Sequence, residues 1–465
     1  MAALLGIDVG TSACKLAAVN HNGELLQTAS CEYPLLTPKP GWTEQNPEDW
    51  WNAVQKGIAK INMQFDAIGL SGQMHGSVFL NVKGEVIRPA LLWNDQRTES
   101  EVEQMNALAK DELLKTTCNP PMTGFQAPKV LWLKKWEPEH YKEVRKVLLP
   151  KDYIRFRLTG EFATDVTDAS GVGLFDVPNR RWSNALIERF ELDPSLFPPA
   201  FESGEAAGRA GKAVAAAGAG DQAGAAVGIG AVSSSVVSMS LGTSGVVFSA
   251  QDSPSYDPGG RVHTFCHANR KWHAMSVMLS CGGALQWVVD RFGFQNFAEF
   301  DAFASRARLS TELFKPYLAG ERSPHNDPNL RASFSGLGLS TGKPEIAFCT
   351  LLGVSFGLLE GYDALMTLRT APCSAIRVNG GGSRSDFWMQ TLADLFGVPT
   401  QRMSVDEGPA FGAALLAGVS AGVWSSVHDA CEHAVRISQV FEPNARKHAW
   451  LRQEFERWKK QPPFC

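Results

Sequence analysis

At 465 residues the chain exceeds the roughly 250–300 residues that one hydrophobic core organises, so two domains are expected. Forty-four Lys and Arg against 48 Asp and Glu leave a net charge of −4, which argues against a nucleic-acid surface and against an acidic tail. Hydrophobic residues make up 44% of the chain and include 13 Trp, a composition that folds rather than stays disordered.

The opening MAALLGIDVG lacks a basic segment, and Asp8 interrupts its apolar run, so no signal peptide is expected. No stretch reaches the ~18 apolar residues of a membrane span; the nearest, Ala213 to Val232, is broken by Asp221 and Gln222. The nine cysteines form no C-x-x-C pair, which points away from a disulfide framework. His263, Cys266 and His267 have metal-like spacing, but no second cluster faces them. A reduced, cytoplasmic protein with no nucleic-acid or membrane partner is the expectation.

Residues 3–9 (ALLGIDV) predict a buried strand. Gly10-Thr11-Ser12 and a second strand through Lys15–Val19 follow, then a hairpin at Asn22-Gly23. Asn46-Pro47-Glu48-Asp49 starts a helix, with a capping residue, Pro in the first turn and acids at the positive end of the dipole. Its buried face is predicted at Trp51, Val54, Ile58 and Ile61. Ala67–Leu70 is a short strand entering the loop Ser71–Gly76. From Ala206 to Ala231 the chain is mostly Ala and Gly, either a flexible linker or backbone packed closely around a ligand.

The pattern then restarts. Val236–Leu241, Gly242-Thr243-Ser244 and Val246–Ala250 repeat the strand, Gly-Thr-Ser, strand order of the N-terminus about half a chain later. This spacing suggests two similar domains, divided near residues 230–236, rather than a solenoid. A helix is predicted from Pro344 to Leu365 and a strand at Ile376–Val378 before Gly380-Gly381-Gly382. Another helix runs from Ser385 to Phe396 and ends at Gly397; Pro409 marks a further helix start. Leu451, Phe455 and Trp458 line one face of a closing helix.

No G-x-x-x-x-G-K-[ST] loop exists. Gly218–Ala223 fits the loose dinucleotide fingerprint, but residues 222–251 contain no acid to hold a ribose, so that site is discounted. The G-x-S-x-G matches around Ser355 and Ser420 sit in apolar helical patterns and read as helix packing, not as nucleophile elbows. The paired Gly-Thr-Ser turns are more informative. Their exposed N–H groups and hydroxyls suit phosphate oxygens, and two in equivalent positions suggest a nucleotide between the halves. Asp8, just before the first turn, is placed to serve Mg²⁺. Asp221, the only charged residue between Lys212 and Asp252, is a candidate general base set in Gly-rich backbone.

Together these residues resemble the FGGY family of carbohydrate kinases. The resemblance runs from about residue 4 to residue 460. It rests on GIDVGTSACK (6–15), GWTEQNPEDWW (41–51), GLSGQMHG (69–76), LLWNDQR (91–97), GFQAPKVLWL (124–133) and LLPKDYIRFRLTGEFATDVTDASG (148–171). It continues through GAGDQAGAAVG (218–228), SLGTSGVVF (240–248), PYLAGERSPHNDP (316–328), NGGGSRSDFWMQTLADLFG (379–397) and EGPAFGAALLAG (407–418).

The resemblance implies an α/β, two-domain actin/hexokinase-like ATPase (ribonuclease H-like) fold with a cleft between duplicated domains. An acceptor half, 1–233, and a nucleotide half, 234–465, are expected. It implies ATP and Mg²⁺ as cofactors and phosphoryl transfer to a sugar. D-xylulose is the expected acceptor; ribulose, gluconate, glycerol or a weakly active binding relative are the alternatives. By position, Asp221 matches the base and Asp8 the residue near Mg²⁺ and the phosphates. Met74, His75 and Gln222, with Asp221, match the sugar contacts. Thr11, Ser12 and Lys15 match the first phosphate turn, and Gly242 and Thr243 the second. Gly282, Gln286, Gly381 and Ser385 match the nucleotide lining. A homodimer fits the resemblance, though no sequence patch marks it. The stretch between Glu205 and Asp221 is about ten residues shorter than such connections usually are, leaving only Ala213–Ala217 for the strand leading into Asp221. Leu352 and Gln126 also depart from the family's usual residues.

Overall fold

The computed structural model describes residues 3–308, 311–369 and 371–462; the outermost residues of the two expected halves lie outside this range. The first half is built on a seven-stranded mixed sheet. Its central strand β1 (Ala3–Val9) is buried at every position, which is why its sequence shows no polar alternation. β2 (Ala13–Asn20) pairs antiparallel with β1, placing Lys15 opposite Asp8, and turns at Asn22-Gly23 into β3 (Leu25–Glu32). α1 (Pro47–Ile61) starts as predicted, with Asn46 accepting a hydrogen bond from the Glu48 N–H at 3.1 Å. Its buried face is centred on Trp50 rather than Trp51, because the Trp50 indole N–H reaches inward to Gln45 Oε1 at 3.0 Å. Trp51 and Ile58 flank that face.

β4 (Ala67–Gly72) lies parallel to β1. Helices α2 (Gln126–Trp136), α3 (Pro150–Thr159) and the short α4 (Val166–Ala169) follow, with Tyr153 and Ile154 of α3 in the core under β1 and β4. Gln126 supports a loop here: its side-chain NH₂ donates to Gly76 O and Leu148 O. The Ala/Gly tract is packed backbone, not linker. β5 (Ala206–Ala210) and β6 (Ala213–Ala216) form a hairpin whose second strand runs parallel to β4. The chain kinks at Gly218 (φ +83°), where any Cβ would collide with the Leu70 carbonyl, and rejoins β4 as β7 (Ala219–Gly220). The shortened stretch therefore still delivers a paired strand to Asp221, the first residue of α5 (Asp221–Gly228).

The second half repeats this plan. β8 (Val236–Leu241) pairs antiparallel with β9 (Gly245–Gln251), as β1 does with β2. β10 (His263–Cys266) and β11 (Trp272–Met278) complete the antiparallel side. α6 (Gly282–Arg291) and the long α7 (Lys343–Met366) precede β12 (Ala375–Asn379), which is parallel to β8 as β4 is to β1. α8 (Asp386–Phe396) and β13 (Thr400–Met403) follow.

Two further helices, α9 (Gly408–Ser420) and α10 (Val427–Ala434), then return to the first sheet and pack with Leu4, Ala67, Ala223 and Val227. β14 (Ile437–Phe441) and α11 (Ala445–Lys460) close the second half, with Leu451, Phe455 and Trp458 buried as predicted. α7 is long and apolar enough to cross a membrane by length and composition alone, but most of it is buried in the second core. Ser355 lies mid-helix in α7, donating to Leu351 O and accepting from the Trp388 indole, and Ser420 ends α9. Neither has the strand–turn–helix setting of a nucleophile elbow.

Candidate active site

The first Gly-Thr-Ser turn is tight: Gly10 N–H donates to Ala13 O at 3.1 Å. Thr11 does not present a free hydroxyl. Its Oγ1 accepts the Trp93 indole N–H at 3.0 Å and lies 3.4 Å from Gln73 Oε1, while Gln45 donates to its carbonyl at 2.7 Å. Ser12 and Lys15 are exposed beside it. Lys15 sits directly across the ladder from Asp8, so both side chains leave the same face of the sheet.

Asp8 is only 7% exposed, and its Oδ1 is buried without a hydrogen-bond partner. Burial raises its carboxyl from 3.8 to about 7, with the Asp221 charge adding to the rise and Lys15 opposing it. Asp221 follows β7, which pairs with β4 through Gly220 and Gly72, while Gly72 pairs with Val9 of β1. Two ladder spacings put the backbones of Val9 and Gly220 about 10 Å apart. Burial raises the Asp221 carboxyl to about 6 against hydrogen bonds from Gln222 that lower it. Two neighbouring carboxylates, one with an orphaned oxygen, are a donor set that suits a hard divalent cation such as Mg²⁺.

Beside Asp221, Met74 is buried and packs its thioether against Gly220. His75 adopts φ +68°, and its Nδ1 lies 2.8 Å from Gly171 O. A carbonyl can only accept, so Nδ1 carries the proton. Burial and the nearby Lys129 charge lower the imidazole to about 3 and keep it neutral, which leaves Nε2 as an acceptor. Lys129 Nζ donates to His75 O at 2.9 Å and to Gly124 O, fixing the loop from beneath. The His75 ring is 4.8 Å from Phe125 and 6.2 Å from Phe265 of β10, so the second half reaches this wall of the site.

In the second half, Gly242 N–H donates to Ser244 O at 3.1 Å, and Gly282 N–H donates to Gly242 O at 2.8 Å. A Cβ on Gly282 would stand 2.5 Å from that oxygen, so the N-terminus of α6 can seat on the turn only through glycine. Gly283 N–H adds a bond to Thr243 O. Gly381 follows β12 with open space where a Cβ would be, at the same strand ends as Gly242. Gln286 lies one turn into α6 and bonds Asp290 at 2.7 Å. Ser385 caps α8, its Oγ accepting from Trp388 N–H. Sequence reasoning assigned no role to Gln45, Gln73, Trp93 or Lys129. All four lie in the motif stretches quoted above, and Lys129 also interrupts the otherwise apolar run Ala127–Leu133, whose residues prove to be buried.

Two α/β halves that repeat one sheet plan, with Gly-Thr-Ser turns at equivalent strand ends, are the arrangement of a phosphotransferase of the sugar-kinase class. The N-terminal and C-terminal domain models of the FGGY family of carbohydrate kinases match residues 3–237 and 237–421, and the chain belongs to that family. It is 38% identical to a xylulose kinase of Escherichia coli (strain K12), covering 96% of this chain and 95% of that protein. A crystal structure of a "xyloylose kinase" from Brucella ovis superposes with a TM-score of 0.93 at 33% identity, covering 98% of each chain. A gluconate kinase from Lactobacillus acidophilus is also similar, with a TM-score of 0.92 at 27% identity over 98% of this chain and 97% of that one.

Proposed function

We propose that the protein transfers the γ-phosphoryl group of ATP to a hydroxyl of D-xylulose, giving xylulose 5-phosphate and ADP, with Asp221 as general base. The observation that carries this reading is the placement of Asp221 at the end of β7, across β4 from Asp8, with a carboxyl raised to about 6. A base in that range is ionised at neutral pH yet still accepts a proton. The similarity to xylulose kinases along nearly the whole chain supports the choice of sugar.

In this reading the sugar lies against Met74, His75 and Gln222, with His75 Nε2 accepting a hydrogen bond from one of its hydroxyls. The attacking hydroxyl gives its proton to an Asp221 oxygen as its bond to phosphorus forms and the bond to the ADP oxygen breaks. Asp221 then releases that proton to solvent. Lys15 and the N–H groups around Thr11 and Ser12 meet the transferred phosphoryl group, and Gly242 and Thr243 hold the other phosphates. Gly282, Gln286, Gly381 and Ser385 line the rest of the nucleotide. Asp8 would hold Mg²⁺, which when bound neutralises phosphate charge. The acceptor belongs to residues 1–233 and the nucleotide to residues 234–465, with α9 and α10 the part of the latter that packs on the former.

The test is ADP release over D-xylulose, D-ribulose, gluconate and glycerol. D-xylulose is expected to give the highest kcat/KM; a higher value for gluconate would shift the reading to the gluconate-kinase branch of the family. Asp221→Ala is expected to lower kcat by about 10²-fold or more while nucleotide binding persists. Unchanged turnover would remove Asp221 from the mechanism.

A further inference from the structure

Beneath Asp221 lies a set of charged side chains that the phosphoryl transfer does not use. Lys151, Asp152, Arg155, Asp165 and Asp168 are all buried. Lys151 Nζ is 2.6 Å from Asp152, 2.9 Å from Asp165 and 3.4 Å from Asp168, and Arg155 Nη2 is 3.0 Å from Asp152. Burying this many charges is costly unless the geometry is well satisfied, and ion clusters of this kind add little net stability. Its contacts show what the cluster holds. Asp165 Oδ2 accepts the Thr167 N–H at 2.8 Å, the Thr167 hydroxyl at 2.6 Å and the Ser203 hydroxyl at 3.0 Å.

Each of these groups then grips the backbone just ahead of Asp221. Arg155 Nη1 donates to Ala217 O at 2.9 Å. Ser203 O accepts the Gly218 N–H at 3.0 Å. The Thr167 hydroxyl, with its own proton committed to Asp165, accepts the Gly220 N–H at 2.9 Å. Three of the four residues before Asp221 are thus tied to one buried ion cluster. The strand they form has only small side chains, so these bonds add to its pairing with β4 in fixing its position. Asp168, with neither oxygen hydrogen-bonded, is held well above the usual carboxylate range by burial, against the pull of Lys151.

We propose that Thr167, clamped by Asp165 and Lys151, is a positioning residue for Asp221. Its hydroxyl fixes the Ala219–Gly220 peptide, the last within β7 before α5 begins, and so aims the Asp221 carboxylate at the acceptor hydroxyl. This inference rests on Asp221 being the base.

The test is Thr167→Val, which keeps shape and removes the hydroxyl. Because a displacement near 1 Å costs about 10²-fold, kcat is expected to fall roughly 10–100-fold, with KM for ATP and for the sugar within about threefold. Thr167→Ser should restore kcat to within about threefold, since it keeps the same donor and acceptor. In an Asp221→Asn background, Thr167→Val should lower the residual rate no further, because residues acting as one unit are non-additive. A Thr167→Val enzyme with unchanged kcat, a Ser variant as slow as Val, or a full second loss in the Asp221→Asn background would each overturn the proposal. Should Thr167→Val not fold, Ser203→Ala loosens the same aspartate, and the same split is expected with a loss of several-fold; unchanged kcat there would overturn it. If Asp221→Asn itself keeps its turnover, the general-base reading fails first. If Asp221→Asn is inactive and Thr167→Val is not impaired, only the positioning role fails.

Discussion

Asp8→Asn should make the ligand-free protein more stable at pH 8 while abolishing turnover. The Asp8 carboxyl ionises at about 7 in the folded chain, against 3.8 ordinarily, because burial and the Asp221 charge disfavour its anion. Between those two values the folded state keeps a proton that the unfolded state has lost. Native stability therefore falls as pH rises through this window, and the deficit is complete above about 7. At 1.36 kcal/mol per pH unit the deficit is about 4 kcal/mol. An asparagine amide removes the charge but must find partners of its own, at a cost of about 1–2 kcal/mol. The net gain at pH 8 is then about 2–3 kcal/mol. For a domain of this size each kcal/mol moves Tm by about 2–4 °C, so a rise of roughly 5–10 °C is expected. At pH 5 most of the deficit has not yet developed, and the two proteins should unfold within about 2 °C of each other.

Thermal unfolding of both proteins at pH 5 and pH 8, without nucleotide or divalent cation, measures this directly. A variant that unfolds at or below the wild-type temperature at pH 8 would refute the reasoning. So would an advantage that is the same at both pH values, because a carboxyl that ionises at about 7 makes it develop between them. Adding Mg²⁺ and nucleotide should stabilise the wild type more than the variant, since a ligand that binds only the native state raises its stability by mass action.

Turnover should fall about tenfold per unit as pH drops below about 6, because Asp221 must be ionised to accept a proton; a profile flat to pH 5 would count against it. Lys129→Met leaves the His75 and Gly124 carbonyls without their donor and should raise the sugar KM about tenfold with the ATP KM within twofold, a loss typical of one charge-assisted bond. Gly412→Ala should destabilise by about 1–3 kcal/mol or more, because its Cβ would collide with the Gly224 carbonyl in α5. Gly338→Ala, with open space at its Cβ, should stay within about 0.5 kcal/mol. Denaturant unfolding of the two alanine variants checks both values.

Much of the fold was legible where the chain marks its own boundaries. Asn46-Pro47 and Ser385 with Gly397 bracket helices by local capping chemistry, and those starts and stops are observed. The repeated Gly-Thr-Ser turn predicted a repeated sheet plan, and β8 pairs with β9 and β12 as β1 does with β2 and β4. Long-range partners were not legible. Thr11 reads as a free hydroxyl in sequence, but Trp93 and Gln73 occupy it from 82 and 62 positions away. Periodicity placed Trp51 on the buried face of α1 with Val54, Ile58 and Ile61; Val54 and Ile61 are buried, but Trp50, bonded to Gln45, takes the inward place of Trp51.

The Ala/Gly tract shows most clearly why sequence alone stops short. Its composition fits a linker or a packed backbone equally well, and the choice depends on a partner nearly two hundred residues later. Helix α9 lies so close to the first sheet that a Cβ on Gly6 of β1 would strike Ala410 O, and one on Gly69 of β4 would strike Ala413 O. Across the same helix Gly412 meets Gly224, and Gly228 meets Gly408, both on α5. β1 carries Asp8, and α5 carries Asp221. The elements that carry both acidic groups therefore rest backbone to backbone on one shared helix, and the Arg155 and Thr167 side chains then hold the strand end that leads into Asp221. Close-packed backbone transmits displacement with little slack. The spacing of β1 and α5 is thus limited by glycines that look, in the sequence, like the least informative residues in the chain.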